Sequence, residues 1–177
     1  GPLLTGAGIT PRIFMSEDGE RLAIVTPKGS RQVVLLDGVE GPVFDEIPSM
    51  LFGVVQIAVQ FSPTGGHSAY LGRRGGDLIA VLDGKEAATV VTSQTGTVSG
   101  SMGWSFWFNR DGSHLAYAGP QGPTTVVIAD GATSPGYRSI DLTQMVLNGK
   151  RIAYVAQTAD QQWHAVVDGK PGPGYVS

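Results

Sequence analysis

Residues 57–84 read IAVQFSPTGGHSAYLGRRGGDLIAVLDG. Three apolar runs, at 57–61, 68–71 and 78–82, are separated by residues that form turns. Short apolar runs bounded by glycine, proline and serine predict β-strands. Asp83-Gly84 predicts a tight hairpin into a fourth strand near residues 88–91, because both turn positions require a positive φ that these residues tolerate.

The same unit recurs along the whole chain. An Asp-Gly turn closes an apolar run four times, at Asp37, Asp83, Asp130 and Asp168. A second marker, an alanine followed by isoleucine or tyrosine, keeps the same register at Ala23, Ala69, Ala116 and Ala153. Scattered through the chain, 26 glycines and 11 prolines interrupt any helical periodicity. Four units of four short antiparallel strands predict an all-β fold, a β-propeller of about four blades.

The chain is expected to form one domain, 1–177, with blades near 11–50, 54–97, 103–141 and 143–177. The last unit is shortened before its first turn, and long connections are expected at 91–103 and 139–144. Residues 1–10 are a candidate closing strand, because Gly1-Pro2 resembles the start of a fourth strand. Three arrangements stay open: a closed four-bladed ring, a larger ring completed by a second chain, or part of a longer propeller.

Phe61-Ser62-Pro63-Thr64-Gly65-Gly66 followed by Ala69-Tyr70 resembles the Phe-Ser-Pro-Asp-Gly…Leu-Ala-Tyr signature of TolB-type, WD-like β-propeller repeats. Residues 111–117, DGSHLAY, match its second half. The resemblance covers nearly the whole chain. That family spans periplasmic interaction proteins, lids of serine peptidases and exported proteins. It therefore implies a bacterial protein located in the periplasm or outside the cell, and it specifies no activity.

Composition excludes several functions. The net charge of −3 comes without a run of like charges, which disfavours nucleic acid as a partner. Without cysteine the chain has no disulfide, thiol catalysis or thiolate metal site. No apolar stretch is long enough for a membrane span, so membrane insertion is not expected. No signal peptide is recognisable at the first residues, where a leading Gly-Pro is compatible with a removed leader.

Four basic side chains occupy one repeat position, two residues before the recurring alanine: Arg21, His67, His114 and Arg151. One interpretation is a cationic rim that holds an anion or an acidic sugar by charge-assisted hydrogen bonds. The other is a solvated hairpin position that accepts any polar residue. The histidines are not expected to bind a metal, because equivalent positions in different blades lie too far apart for one ion.

The four Asp-Gly aspartates are interpreted as turn residues, since a glycosidase needs a second, facing carboxylate and no second acidic position recurs. Strand alternation places Trp104, Phe106 and Phe108 on one face and Trp107 on the other. Trp107, and Trp163 on the third strand of the last blade, are candidate platforms for a sugar or a partner side chain, with packing between blades as the alternative.

No catalytic pattern is present, and the nearest one, residues 103–107, lacks the second glycine of a nucleophile elbow. No cofactor is expected. The sequence therefore predicts a non-catalytic module that binds a protein partner or its own copy, with a homodimer as one form. Two alternatives stay open: a carbohydrate-binding module that uses exposed aromatics, and a propeller domain excised from a larger hydrolase.

Overall fold

A computed structural model describes residues 10–48, 50–51, 54–55, 58–91 and 106–175. These residues form four four-stranded antiparallel sheets and one small hairpin. In chain order the strands are β1 (Arg12–Met15), β2 (Leu22–Lys28), β3 (Arg31–Leu36) and β4 (Val39–Phe44); the hairpin β5 (Met50–Leu51) and β6 (Val54–Val55); β7 (Val59–Phe61), β8 (Ser68–Arg74), β9 (Asp77–Leu82) and β10 (Lys85–Val91); β11 (Phe106–Phe108), β12 (Leu115–Gln121), β13 (Thr124–Ala129) and β14 (Ala132–Thr133); and β15 (Ser139–Asn148), β16 (Arg151–Gln157), β17 (Trp163–Val167) and β18 (Lys170–Tyr175).

Each sheet keeps its strands in sequence order, so each is one propeller blade. The predicted all-β fold of four blades is confirmed. The sheets are called sheets 1 to 4 below, in chain order. Trp104, most of the 91–103 connection and the candidate closing strand at the chain start lie outside the described residues.

The Asp-Gly turns have the predicted geometry. Asp37, Asp83, Asp130 and Asp168 have φ values of 51°, 48°, 47° and 51°, and the glycine after each also has a positive φ. Two successive positive φ values define the type I′ turn, whose twist matches that of the flanking strands. The turns join the third and fourth strands of all four sheets.

Three apolar cores lie between successive sheets. The first, between sheets 1 and 2, includes Val25, Phe44 and Tyr70. The second core, between sheets 2 and 3, includes Leu71 and Tyr117. The third core, between sheets 3 and 4, consists of Ala116, Ala118, Val127, Tyr137, Ile140, Met145, Ile152, Tyr154, Ala156 and Val166. Burial of apolar surface between blades is therefore the main stabilising interaction.

The Ala-Tyr marker follows from this stacking. Ala69 packs in the core toward sheet 3, whereas Tyr70 packs in the core toward sheet 1. Ala116 and Tyr117 divide in the same way between the third and second cores. Each sheet therefore has a forward face, toward the next sheet in the chain, and a backward face, toward the preceding one.

One glycine is required by this packing. A Cβ at Gly72 on β8 would overlap the ring of Phe44 on β4. Phe44 is fully buried and meets Tyr70 edge to face, with 6.4 Å between the ring centroids. Only a residue without a side chain lets the two sheets approach this closely.

Four local predictions were wrong. Residues 139–144, expected as a connection, belong to β15, which runs from Ser139 to Asn148 with a register shift between Asp141 and Val146. Sheet 4 is therefore complete rather than shortened, and the 103–141 and 143–177 boundary falls inside its first strand. Arg73 and Arg74, expected on a solvated loop, end β8 and form ion pairs with Glu46 and Glu86.

Candidate functional site

The four basic rim residues are each paired with the Asp-Gly aspartate of their own sheet. The nitrogen-to-oxygen distances are 2.5 Å for Arg21–Asp37, 2.8 Å for His67–Asp83, 2.6 Å for His114–Asp130 and 3.1 Å for Arg151–Asp168. The two repeat markers of the sequence thus form one structural unit, which we call the rim clamp. Their proposed role in holding an anion stays a prediction.

The second carboxylate oxygen of each clamp aspartate holds the backbone. It accepts a backbone N–H at the start of the second strand, at 2.8 Å from Leu22 to Asp37 and 2.8 Å from Ser68 to Asp83. Leu115 and Ile152 donate the equivalent bonds to Asp130 and Asp168, at 3.0 Å each. These backbone bonds, together with the arginine partners, lower the pKa of Asp37 and Asp168 below the ordinary value. The clamp aspartates therefore act as structural groups, as the turn interpretation predicted.

Sequence reasoning missed a buried polar residue at the first turn of each of sheets 1 to 3. Ser16 and Ser62 accept the N–H of Arg21 and His67 on their side-chain oxygens, at 2.9 and 3.1 Å, and Asn109 does the same for His114 at 3.1 Å. All three are almost fully buried. The available signal was a Ser or Asn five residues before the rim cations of sheets 1 to 3, Arg21, His67 and His114.

Arg21 also joins two sheets. Its guanidinium donates to the backbone carbonyls of Gly65 and Gly66, both at 3.2 Å, in the first turn of sheet 2. It lies 6.0 Å from the centroid of the Phe61 ring. His67 lies in an equivalent position, in a cleft that it shares with Gly112 and Ser113 of sheet 3. The rim cation of one sheet thus faces the first turn of the next.

The two candidate tryptophans differ in position. Trp107 packs against the core between sheets 3 and 4, while Phe106 and Phe108 pack toward sheet 2, as alternation predicted. Trp163 is half-buried on the forward face of sheet 4, where it pairs with Tyr175. Trp107 therefore packs between sheets 3 and 4, Trp163 lies on the more exposed surface, and the role of either as a binding platform stays a prediction.

A cleft of about 410 Å³ lies where the first strands of sheets 1 to 3 converge. Its wall comprises Phe14, Met15, Glu17, Val59, Gln60, Phe61, Ser62, Pro63, Phe106, Trp107 and Phe108. Among the described residues no group of three histidine, aspartate or glutamate side chains is arranged to hold a metal ion.

The backward face of sheet 1 is apolar and partly uncovered. Ile13, Ile24 and Leu35 pair across β1, β2 and β3, so they share this face, and Met15 pairs with Leu22 beside them. Ile13 is 67% exposed, and Met15 is also exposed. Thr26 and Val33, further along the same strands, are buried. The uncovered part is the region beside β1.

The forward face of sheet 4 is largely apolar, with Asp141 and Gln157 as polar members at one end. It carries Val146, Ala153, Val155, Trp163, Ala165, Val167 and Tyr175, whose cross-strand pairing puts them on one side. None of these residues is fully buried, and Val146 is 59% exposed. We call this face and the backward face of sheet 1 the two end faces.

The first turns of the end sheets carry opposite charges. Sheet 1 presents exposed Glu17, Asp18 and Glu20, whereas sheet 4 presents exposed Lys150 and Arg151. The Arg151 side chain is 74% exposed. The turns beside the two end faces thus carry opposite charges.

No protein-family model and no curated protein sequence matches the chain. Solved structures similar to it include TolB from Acinetobacter baumannii, at 15% identity and a TM-score of 0.41 over 89% of this chain and 40% of that one. Another is Kuenenia stuttgartiensis hydrazine synthase, at 14% identity and a TM-score of 0.39 over 93% of this chain and 48% of that one. A third is a putative 6-phosphogluconolactonase from Bacteroides uniformis, at 18% identity and a TM-score of 0.34 over 94% of this chain and 53% of that one. The chain spans about half the length of these proteins. In the described residues no helix is long and apolar enough to cross a membrane.

Proposed function

We propose that the chain is a non-catalytic β-propeller module that binds protein through its two end faces. One observation carries the proposal: the exposed Ile13 and the half-buried Ile24 and Leu35 of the sheet 1 backward face occupy the same repeat positions as fully buried residues of sheet 2. Ile13, Ile24 and Leu35 precede Val59, Tyr70 and Val81 by 46 residues each. The latter three are at most 1% exposed, inside the core between sheets 1 and 2.

The chemistry of the end faces supports protein as the ligand. Contiguous exposed apolar surface on a β-sheet is typical of interaction sites, because its burial removes water from apolar side chains. The half-buried Trp163 and the exposed Tyr175 are residue types enriched at protein interfaces. The charged first turns beside each face supply a polar rim that orients a partner.

A binding role without catalysis is supported by the use of the repeated carboxylates. In each clamp aspartate, one carboxylate oxygen accepts a backbone N–H and the other pairs with a rim cation, so both oxygens have structural partners. The resemblance to TolB-type repeats supports a periplasmic or extracellular location for such a module.

The test uses the absence of cysteine in the natural chain. The single variants Ile13→Cys and Val146→Cys report whether each end face is accessible to a thiol reagent. Val39→Cys is the matched exposed control, since Val39 is 70% exposed on the outer strand of sheet 1, and Val59→Cys is the buried control. Thiol-reaction rates are measured beside the solution mass.

The proposal expects one of two results. The chain is either a monomer in which the thiols of Ile13→Cys and Val146→Cys react as fast as that of Val39→Cys, or an oligomer in which both are protected. A monomer in which both thiols react as slowly as that of Val59→Cys would contradict it, because the end faces would then cover each other in a closed four-bladed ring.

A further inference from the structure

We propose that the partner of the end faces is a second copy of this chain, joined head to tail so that two chains build one eight-bladed ring. This inference rests on the proposed function and names its ligand. The forward face of sheet 4 in one copy covers the backward face of sheet 1 in the other, and the reverse pair closes the ring.

The packing inside the chain gives the register of the contact. Phe14 on β1 pairs with Ala23, and Val146 on β15 pairs with Ala153, so Val146 holds the position of Phe14. Phe14 packs in the same core as Val59, the sheet 2 equivalent of Ile13. Repeating the first interface between copies therefore places Val146 of one chain against Ile13 of the other.

The rim gives the same register independently. Arg21 of sheet 1 donates to the carbonyls of Gly65 and Gly66 in sheet 2. The equivalent pair across the end faces is Arg151 of one copy with Gly19 and Glu20 of the other. Arg151 and Lys150 then meet the acidic turn of sheet 1, so apolar packing and charge favour the same pairing.

Two features favour a second copy over an unrelated protein. Both halves of the interface, a forward and a backward face, lie on one chain, and a contact between unlike faces makes a ring when the rotation closes. Two copies give eight blades, within the usual range of about four to eight for propellers, whereas three copies would exceed it.

The test uses two charge variants at exposed sites, Ile13→Glu and Val146→Lys, with Val39→Glu and Val39→Lys as matched controls. Circular dichroism and thermal unfolding verify that each variant folds. Light scattering coupled to size-exclusion chromatography then measures mass. We expect the natural chain and both controls at twice 18.5 kDa, and each end-face variant alone at 18.5 kDa.

Mixing the two end-face variants is the decisive step. A head-to-tail ring brings the new carboxylate of Ile13→Glu against the new ammonium group of Val146→Lys at one interface and leaves the other interface natural. The mixture should therefore return to twice the chain mass. Three results would overturn the second copy as partner: a monomeric natural chain, a dimer that Val146→Lys leaves intact, or a mixture that stays monomeric.

Thiol reactivity distinguishes these three results from a failure of the proposed function. A monomeric chain in which the thiols of Ile13→Cys and Val146→Cys react freely leaves protein binding in place and assigns the faces to another protein surface, that of a different protein or of further blades of a longer chain. A monomeric chain with both thiols protected removes both proposals.

Discussion

Sheets 1 and 2 carry the same backward face in different surroundings. In sheet 2, Val59, Tyr70 and Val81 are buried against sheet 1. In sheet 1 the equivalent Ile13 is largely exposed, and Ile24 and Leu35 are half-buried. Residue type, strand pairing and local turns match, so the difference in burial comes from the neighbouring sheet that covers only one of these faces.

This comparison separates two sources of stability. The turn and clamp of a blade are local and recur in both sheets, whereas the gain from apolar burial depends on a neighbour. The stabilisation from the turn and clamp should therefore be equal in sheets 1 and 2. The stabilisation from apolar burial on the backward face should differ between them.

The largest expected effect comes from Tyr70→Ala compared with Ile24→Ala. Removing the fully buried Tyr70 ring should cost about 3–5 kcal/mol in the free energy of unfolding, because it leaves a cavity between sheets 1 and 2. Ile24→Ala should cost less than half as much. Both are measured by urea unfolding in the Val146→Lys background, which we expect to be monomeric and which leaves the partners of Ile24 and Tyr70 natural. Equal losses would show that the sheet 1 face is covered within the chain.

A smaller effect is expected from Gly72→Ala. The added methyl group meets the Phe44 ring, and overpacking of this kind should cost about 1–3 kcal/mol. The matched control is Gly66→Ala, where a Cβ would meet only Thr64 at 3.7 Å. Urea midpoints that shift equally for both variants would contradict the close packing of sheets 1 and 2.

Removing the clamp aspartate should reduce the stability of the chain equally in sheets 1 and 2. Asp37→Ala and Asp83→Ala each lose a backbone hydrogen bond and force alanine into a left-handed conformation, at a cost of about 1–2 kcal/mol each. Asparagine tolerates this conformation, so Asp37→Asn and Asp83→Asn should cost less. Thermal unfolding of the four variants provides the measurement, and a loss confined to one sheet would contradict a local clamp.

The smallest expected effect is the acid dependence of stability. Because folding lowers the pKa of Asp37 and Asp168, the clamps stabilise the chain above the unfolded value near 4, and this contribution is lost as pH falls below it. Urea unfolding between pH 6 and pH 3 should show a shallower fall in stability for the double variant Asp37→Asn, Asp168→Asn. An unchanged slope would mean that these carboxylates carry no net charge-dependent stabilisation.

Local signals predicted most of the fold, because Asp-Gly turns and the Ala-Tyr register specify hairpins whatever surrounds them. The ten-residue β15 was missed since a bulged strand with polar residues at 141, 143 and 144 resembles a loop in its sequence. The rim clamp was missed although a spacing of 16 or 17 residues links each cation to its aspartate. Recognising that pair requires the strand register.

The end faces could be predicted only in part, for a physical reason. Alternation shows that Ile13 and Ile24 share an apolar face, but burial depends on a neighbour that the local sequence does not encode. Trp163 illustrates the same point: its type suggested a binding platform, and its place on an end face became visible only from pairing with Gln157 and Tyr175.

The central claim is that the two end faces are halves of one interface between copies. Cross-linking tests it most directly, because the natural chain has no cysteine. Chains with Ile13→Cys are mixed with chains carrying Val146→Cys and treated with a short bis-maleimide, with Val39→Cys as the control partner. We predict a species at twice the chain mass that is cross-linked between positions 13 and 146, and none with the Val39→Cys chain. Cross-links only between identical positions, or only monomers, would contradict the account.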